Sequence, residues 1–208
     1  NVIRNQLEID EGDYYNEILA NKTINNLKSL NFFKTVKSEV LDGSDINQKI
    51  INISVEEKPT GEISAGAGVG TNGGTVSFGI RENNYLGKGL TVQSNLTINE
   101  ESLKGLFSVS NPNYKNSDKA VYFTAEATET DRLKNFGYKT NKNGFTIGTN
   151  FEYLRNFRIG VGNSHYYEKI DTDSTASTRQ QAQEGNYWDS FLNFRLDYDT
   201  RNQKFQTS

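Results

Sequence analysis

Four short stretches of this chain hold residue types that could do chemistry. Gly66-Ala-Gly-Val-Gly-Thr71 could be taken for a phosphate-cradling loop. A dinucleotide fingerprint needs a third glycine where Thr71 stands, and a helix after it, and neither is read here. His165 is the only histidine, and no Asp or Ser stands at a catalytic spacing from it. It reads as a residue of a wall or rim. Asp171-Thr-Asp173 has too few oxygen ligands for calcium and reads as a solvated loop. Asn95-Leu-Thr97 matches a glycosylation sequon but falls in the middle of an alternating segment. No cysteine is present, which excludes disulfide scaffolds and thiolate metal sites, and one histidine excludes a histidine cluster. A net charge of −3 with 24% charged residues gives no electrostatic case for nucleic acid. The reading is a protein that is not an enzyme, with no cofactor and no metal.

The elements that would position any function are organised around Val55-Glu-Glu-Lys-Pro-Thr-Gly-Glu-Ile-Ser-Ala-Gly-Ala-Gly-Val-Gly70. Pro59 is one of two prolines, and it fixes its own φ and holds Lys58 extended. Pro59, Thr60 and Gly61 therefore read as a hinge. Beyond it Ile63, Ala65, Ala67 and Val69 alternate with Ser64, Gly66, Gly68 and Gly70, the period of a β-strand. One face is apolar and the other is bare.

The 208 residues allow one or two domains. Residues 1–58 predict a mixed α/β segment: the last turns of a helix over 1–7, a helix from the N-cap Asn16 to about Leu30, a strand over Val36–Leu41, a turn at Asp42–Asp45, and a strand over Lys49–Glu57. Ala20, Ile24, Leu27 and Leu30 form the helix's apolar stripe. Residues 1–58 hold 7 basic and 10 acidic side chains, so this segment carries the whole net charge.

Residues 62–208 predict eight alternating strands. They centre on 62–70, 76–80, 90–98, 103–109, 121–127, 145–153, 157–161 and 192–198. Asn72-Gly-Gly74 predicts a tight hairpin. Segments 84–88, 112–117 and 154–156 read as short turns, and 129–143 and 171–186 as long polar loops. That asymmetry, with Arg81, Lys104, Glu126, Glu152, Arg158 and Arg195 on the polar face, favours a transmembrane barrel with a wet lumen over a soluble β-sandwich. Tyr85, Tyr114, Tyr153 and Phe157 fall near turns, where an aromatic girdle would lie.

The order of the first segment resembles the POTRA domain, on Val2-Ile-Arg4, Glu11-Gly-Asp13, Leu27 with Leu30, Phe32-Phe-Lys-Thr-Val36 and Val55-Glu-Glu57. The resemblance implies a missing first strand, and with no initiator methionine the chain reads as an internal fragment. Glu56-Glu-Lys-Pro-Thr-Gly61, Arg81-Glu-Asn-Asn-Tyr-Leu-Gly-Lys-Gly89 and Tyr198-Asp-Thr-Arg201 are similar to the outer-membrane protein assembly factor (BamA) family. Related transporters of the two-partner secretion type share the architecture.

This resemblance implies the following expectations. Residues 1–58 are a periplasmic POTRA domain, 59–61 the hinge, and 62–208 the first half of an antiparallel outer-membrane barrel of a Gram-negative bacterium, left open. The function implied is folding and insertion of barrel clients at a lateral seam, whose strand edge is Ser64, Gly66, Gly68 and Gly70. Val36, Lys37, Ser38, Glu39 and Val40 would form a docking edge. The implied partners are unfolded outer-membrane proteins, accessory periplasmic lipoproteins and outer-membrane lipids, with no nucleic acid. A secretion pore and a passive porin or surface antigen remain alternative readings.

Overall fold

The computed structural model describes residues 2–45, 48–70, 73–117 and 119–200. These form two compact units: residues 1–61 with 83–89, and residues 62–82 with 90–208.

The first unit is built on one helix and one hairpin. Helix α1 spans Glu17–Ser29. Asn16 caps it, its Oδ1 accepting the Ile18 and Leu19 amides at 2.9 and 3.3 Å. Asn31, at φ 59°, ends it in the left-handed region. The predicted stripe is the small core: Leu27 is fully buried and Ile24 nearly so, with Thr23 beside them. Residues 1–7 differ from the expected helix end. Arg4–Gln6 form a single 3-10 turn, and Leu7 is already extended. The segment is held to α1 by polar contacts instead. The Glu8 amide donates to the Thr23 hydroxyl at 2.9 Å, and the Glu8 carboxylate accepts from Asn26 at 2.9 Å and pairs with Lys22 at 3.0 Å. Strands β1 (Phe33–Asp42) and β2 (Lys49–Glu57) pair antiparallel. Lys49 and Asp42 close the hairpin as an ion pair. Among the described residues no third strand joins this sheet.

The second sheet is an eight-stranded antiparallel meander: β3 (Gly61–Gly70), β4 (Gly73–Tyr85), β5 (Leu90–Asn99), β6 (Ser102–Asn111), β7 (Lys119–Arg132), β8 (Tyr138–Leu154), β9 (Phe157–Thr172) and β10 (Gly185–Tyr198). Every predicted strand is present. Strands β3 and β10 stand at opposite ends of the strand order, so the sheet is open, as expected. Asn72, of the predicted hairpin, and Arg201 lie outside the described residues.

The predicted long loop over 129–143 is corrected. Strand pairing runs through it, with Glu129 opposite Asn141 and Arg132 opposite Tyr138, and only Leu133–Gly137 connect the strands, as the short helix α2 (Leu133–Phe136) and a left-handed Gly137. Polar side chains on both faces hide such a strand from a period-two reading. The second long loop is real but shorter, covering 173–184. It is folded around helix α3 (Thr178–Gln181), capped by Ser177 and Gln180, with Ala176 buried.

Two predictions follow for the first unit. Leu27→Ala removes a fully buried side chain and should cost about 2–4 kcal/mol, read by denaturant unfolding followed at α1. The Glu8 carboxyl is held below the ordinary glutamate range near 4.5, first by its hydrogen bond from Lys22 and then by that from Asn26. A depressed carboxylate contributes stability above its unfolded pKa and loses it as pH falls through the folded one. Protection of the α1 amides, that is exchange corrected for the intrinsic rate at each pH, should therefore fall as pH drops below about 4.5, and Glu8→Gln should flatten that dependence.

Candidate functional site at the terminal strand and the two faces of the wall

Strand β3 carries the predicted seam residues. All ten of its residues are exposed, Val69 to 93% and Ile63 to 86%. Its neighbour in the sheet is β4, and no strand lies beyond it among the described residues. The bare face follows from the glycines. A Cβ at Gly68 or Gly70 would meet nothing within 4 Å, and one at Gly66 would meet only the Ser77 hydroxyl, at 3.0 Å. Ser64 is less free, since its hydroxyl donates to the Gly79 carbonyl of β4 at 3.4 Å. At Gly66, Gly68 and Gly70 there is no side chain to pack across to β4, so along this stretch β3 is held by its backbone ladder.

The predicted hinge is tethered on its far side. The Thr60 carbonyl accepts both the backbone amide and the side-chain amide of Asn83 at 3.3 Å. On its near side the Lys58 amide donates to the Phe32 carbonyl at 3.1 Å. Nearby, the turn Tyr85–Gly89 uses left-handed backbone at Leu86, Gly87 and Gly89, and the Asn84 side chain accepts the Gly89 amide at 2.7 Å. The predicted docking edge, Val36 to Val40, lies in β1 opposite Val55 to Ile51, with Val36 half-buried and the other four exposed.

The register of the larger sheet sorts its side chains into two faces. One face carries the rows Phe107, Ala125, Phe145, His165, Ser190 and Val109, Phe123, Ile147, Asn163, Leu192. The other carries Ser108, Thr124, Thr146, Ser164, Phe191 and Ser110, Tyr122, Gly148, Gly162, Asn193. The apolar face is the exposed one: Phe194, Leu196 and Leu192 are more than 60% exposed, whereas Ser164 on the polar face is 4% exposed. An exposed apolar face of this extent is not a solvated surface and marks contact with lipid. No helix among the described residues is long and apolar enough to cross a membrane, and this wall would cross by strands.

Aromatic side chains bracket the band. Tyr114, Tyr153 and Phe157 lie in or beside the turns at one end, and Tyr85 is the last residue of β4. Ten residues from Phe157 along β9 stands Tyr167, its ring 5.1 Å from that of Trp188. Tyr167 lies inside β9, where turn proximity did not reveal it, and Trp188 stands near the start of β10. The spacing matches the nine to eleven residues (roughly) that a tilted strand needs to cross the hydrocarbon. Beyond it the strands become polar. There Arg132 pairs with Glu101 at 2.7 Å and donates to Tyr138 at 3.1 Å, and Lys139 pairs with Glu129 at 2.6 Å.

His165 lies within the wall, on the apolar face, its Nδ1 2.8 Å from the Ser190 hydroxyl and its ring 5.4 Å from that of Phe145. Asp171 closes β9 and pairs with Lys169 at 2.8 Å, while Asp173 accepts from the Thr175 amide and hydroxyl at 2.7 and 2.6 Å. The polar face also holds a groove of about 420 Å³ lined by Tyr122, Asn150, Asn193 and Arg195, among others. Sequence reasoning missed it. Its sequence signal is the pair of alternate glycines Gly160 and Gly162.

Residues 84–208, more than half of the chain, match the model of the Omp85 superfamily domain. The chain belongs to the Omp85 superfamily. Among solved structures, this Omp85 chain superposes on BamA from Haemophilus ducreyi lacking POTRA domains 1–3 with a TM-score of 0.77 at 20% identity, covering 98% of this chain and 42% of that one. CdiB from Acinetobacter baumannii gives 0.50 at 12% identity, covering 95% and 40%. The fold is thus BamA-like, and the chain spans less than half the length of either structure. Membership of this outer-membrane superfamily assigns the exposed apolar face to the bilayer.

The two faces predict opposite responses to charge. Ile147→Lys, on the lipid face, should destabilise the full-length protein in bilayers by about 2–4 kcal/mol. Ser108→Lys, on the polar face, should stay within about 0.5 kcal/mol. Denaturant unfolding in liposomes measures both.

Proposed function

We propose that this segment belongs to an outer-membrane assembly factor that folds and inserts β-barrel clients by pairing their strands with the edge of β3. The observation that carries the reading is the state of β3: a terminal strand, exposed along its whole length, bare of side chains at Gly66, Gly68 and Gly70. Such an edge offers N–H and C=O groups to any incoming strand. Backbone pairing is indifferent to client side chains, as a general insertase requires. Ser64, Gly66, Gly68 and Gly70 are then the seam, and Pro59, Thr60 and Gly61 the joint at its base.

In this reading residues 1–58 act as a POTRA domain in the periplasm of a Gram-negative cell. Their helix and hairpin would offer the β1 edge, Val36 to Val40, to clients or accessory lipoproteins, while the apolar face meets outer-membrane lipid. One observation favours a second reading, a pore of the two-partner secretion type: the groove at Tyr122, Asn193 and Arg195 gives the polar face a lining suited to a passing polypeptide.

The decisive experiment uses the full-length protein in reconstituted vesicles. A disulfide joining β3 to the final barrel strand should stop client barrel assembly, and reductant should restore it. Assembly at the free rate in the oxidised form would overturn the insertase reading and favour the pore. A proline scan across Gly66–Val69 sharpens this test. Successive amides of a strand point to opposite edges, so prolines should alternate between loosening β3 from β4 and removing a donor offered to clients. The latter class should slow assembly about tenfold with folding intact, a change of about 1.4 kcal/mol, whereas Val69→Thr should be mild.

A further inference from the structure

On the polar face of the wall, Tyr122 of β7 stands directly opposite Gly148 of β8, which stands directly opposite Gly162 of β9. The tyrosine ring lies over Gly148 and its hydroxyl reaches Gly162. A Cβ on Gly148 would collide with the ring's Oη, Cζ and Cε1, and one on Gly162 would come within 2.9 Å of Oη. Four residues along β8 the arrangement is reversed in order: Tyr166 of β9 stands opposite Gly144, and a Cβ there would collide with its ring and with the His165 carbonyl oxygen. Glycines at these positions are empty sockets, and the two tyrosines fill them.

The physical need for such sockets is register. A slip of one residue between neighbouring strands exchanges the lipid and polar faces and is strongly excluded. A slip of two keeps every side chain on its own face. In β7 to β9 it is nearly neutral for the apolar rows, since Phe123 would face Phe145 or Thr149 instead of Ile147. Alternation alone therefore leaves these long strands degenerate. The sockets break the degeneracy. After a slip of two, Tyr122 would face Thr146 or Asn150, and Tyr166 would face Lys142 or Thr146. Each of these residues carries a Cβ where the ring lies over glycine.

We infer that Tyr122 and Tyr166, with Gly148, Gly162 and Gly144, select the pairing register of β7, β8 and β9. Tyr122 sets β7 against β8 and, by reaching Gly162, couples that choice to β9. Tyr166 sets β8 against β9 independently. A ring laid over strand glycine covers exposed backbone and regains the packing that glycine lacks. It does so in one register only.

These 208 residues hold no cysteine, so cysteine pairs placed in them report register directly once any cysteine elsewhere in the full-length protein is replaced. In the full-length protein refolded into liposomes, Ala125→Cys is combined with Phe145→Cys for the native register. It is combined with Asn143→Cys or Ile147→Cys for the two slipped ones. With Tyr122 intact only the native pair should crosslink efficiently. Tyr122→Ala should raise the slipped-to-native ratio about three- to tenfold, the range expected for losing one aromatic contact. Tyr122→Phe, which keeps the ring, should restore the native ratio. Gly148→Ala, which lifts the ring while keeping the tyrosine, should shift the ratio as Tyr122→Ala does, and it serves if that variant does not fold. Native-only crosslinking in either Tyr122→Ala or Gly148→Ala overturns the inference.

Discussion

A backbone in hydrocarbon must satisfy its hydrogen bonds within the protein, and this constraint shapes the larger sheet. Each strand from β4 to β9 meets it with a neighbour on both sides. The strands at the two ends of the order do not, within this segment. A terminal strand that is also short of side-chain contacts is the least costly place to exchange one pairing partner for another. The glycines of β3 create that condition, because they remove the side-chain packing that would otherwise fix a ladder in place. The Thr60 carbonyl, held twice by Asn83, fixes the chain just before that strand begins.

The same solvent inverts the usual logic of a core. Leu27 and Ile24 bury themselves in the first unit as in any soluble domain. In the wall the large apolar side chains point outward, and the interior-facing side holds Thr146, Ser164 and Asn193 in a hydrogen-bonded cluster with contacts of 2.8 Å. With no apolar core to interdigitate, the polar face specifies structure by other means. Glycine sockets filled by Tyr122 and Tyr166 supply shape, and the Arg132–Glu101 and Lys139–Glu129 pairs tie the polar strand ends together. Both pairs are half-buried at the strand ends, and they orient those ends across the ladder.

Much of the fold was legible before any coordinates. The N-cap at Asn16, the stripe of Ala20, Ile24, Leu27 and Leu30 and the eight alternating strands followed from period and punctuation, because each depends on neighbours close in sequence; that the sheet is open was implied by the family resemblance. The bare face of β3 was legible for the same reason: Gly66, Gly68 and Gly70 repeat at the period of a strand. The strand through 129–143 was not, since Glu129, Asp131, Lys139 and Asn141 are polar outside the lipid band and give no alternating signal. Only pairing with neighbours reveals them as strand.

The sequence by itself determined which residues share a face, because alternation is a local property of an extended chain. It could not determine which residue faces which across the ladder. That choice joins Tyr122 to Gly148 and Gly162 across β7, β8 and β9, places Tyr167 beside Trp188 at the edge of the apolar band, and sets His165 against Ser190. Register is a relation between strands, fixed by shape at the few positions where a two-residue slip would leave no room. It exists only once the strands have paired.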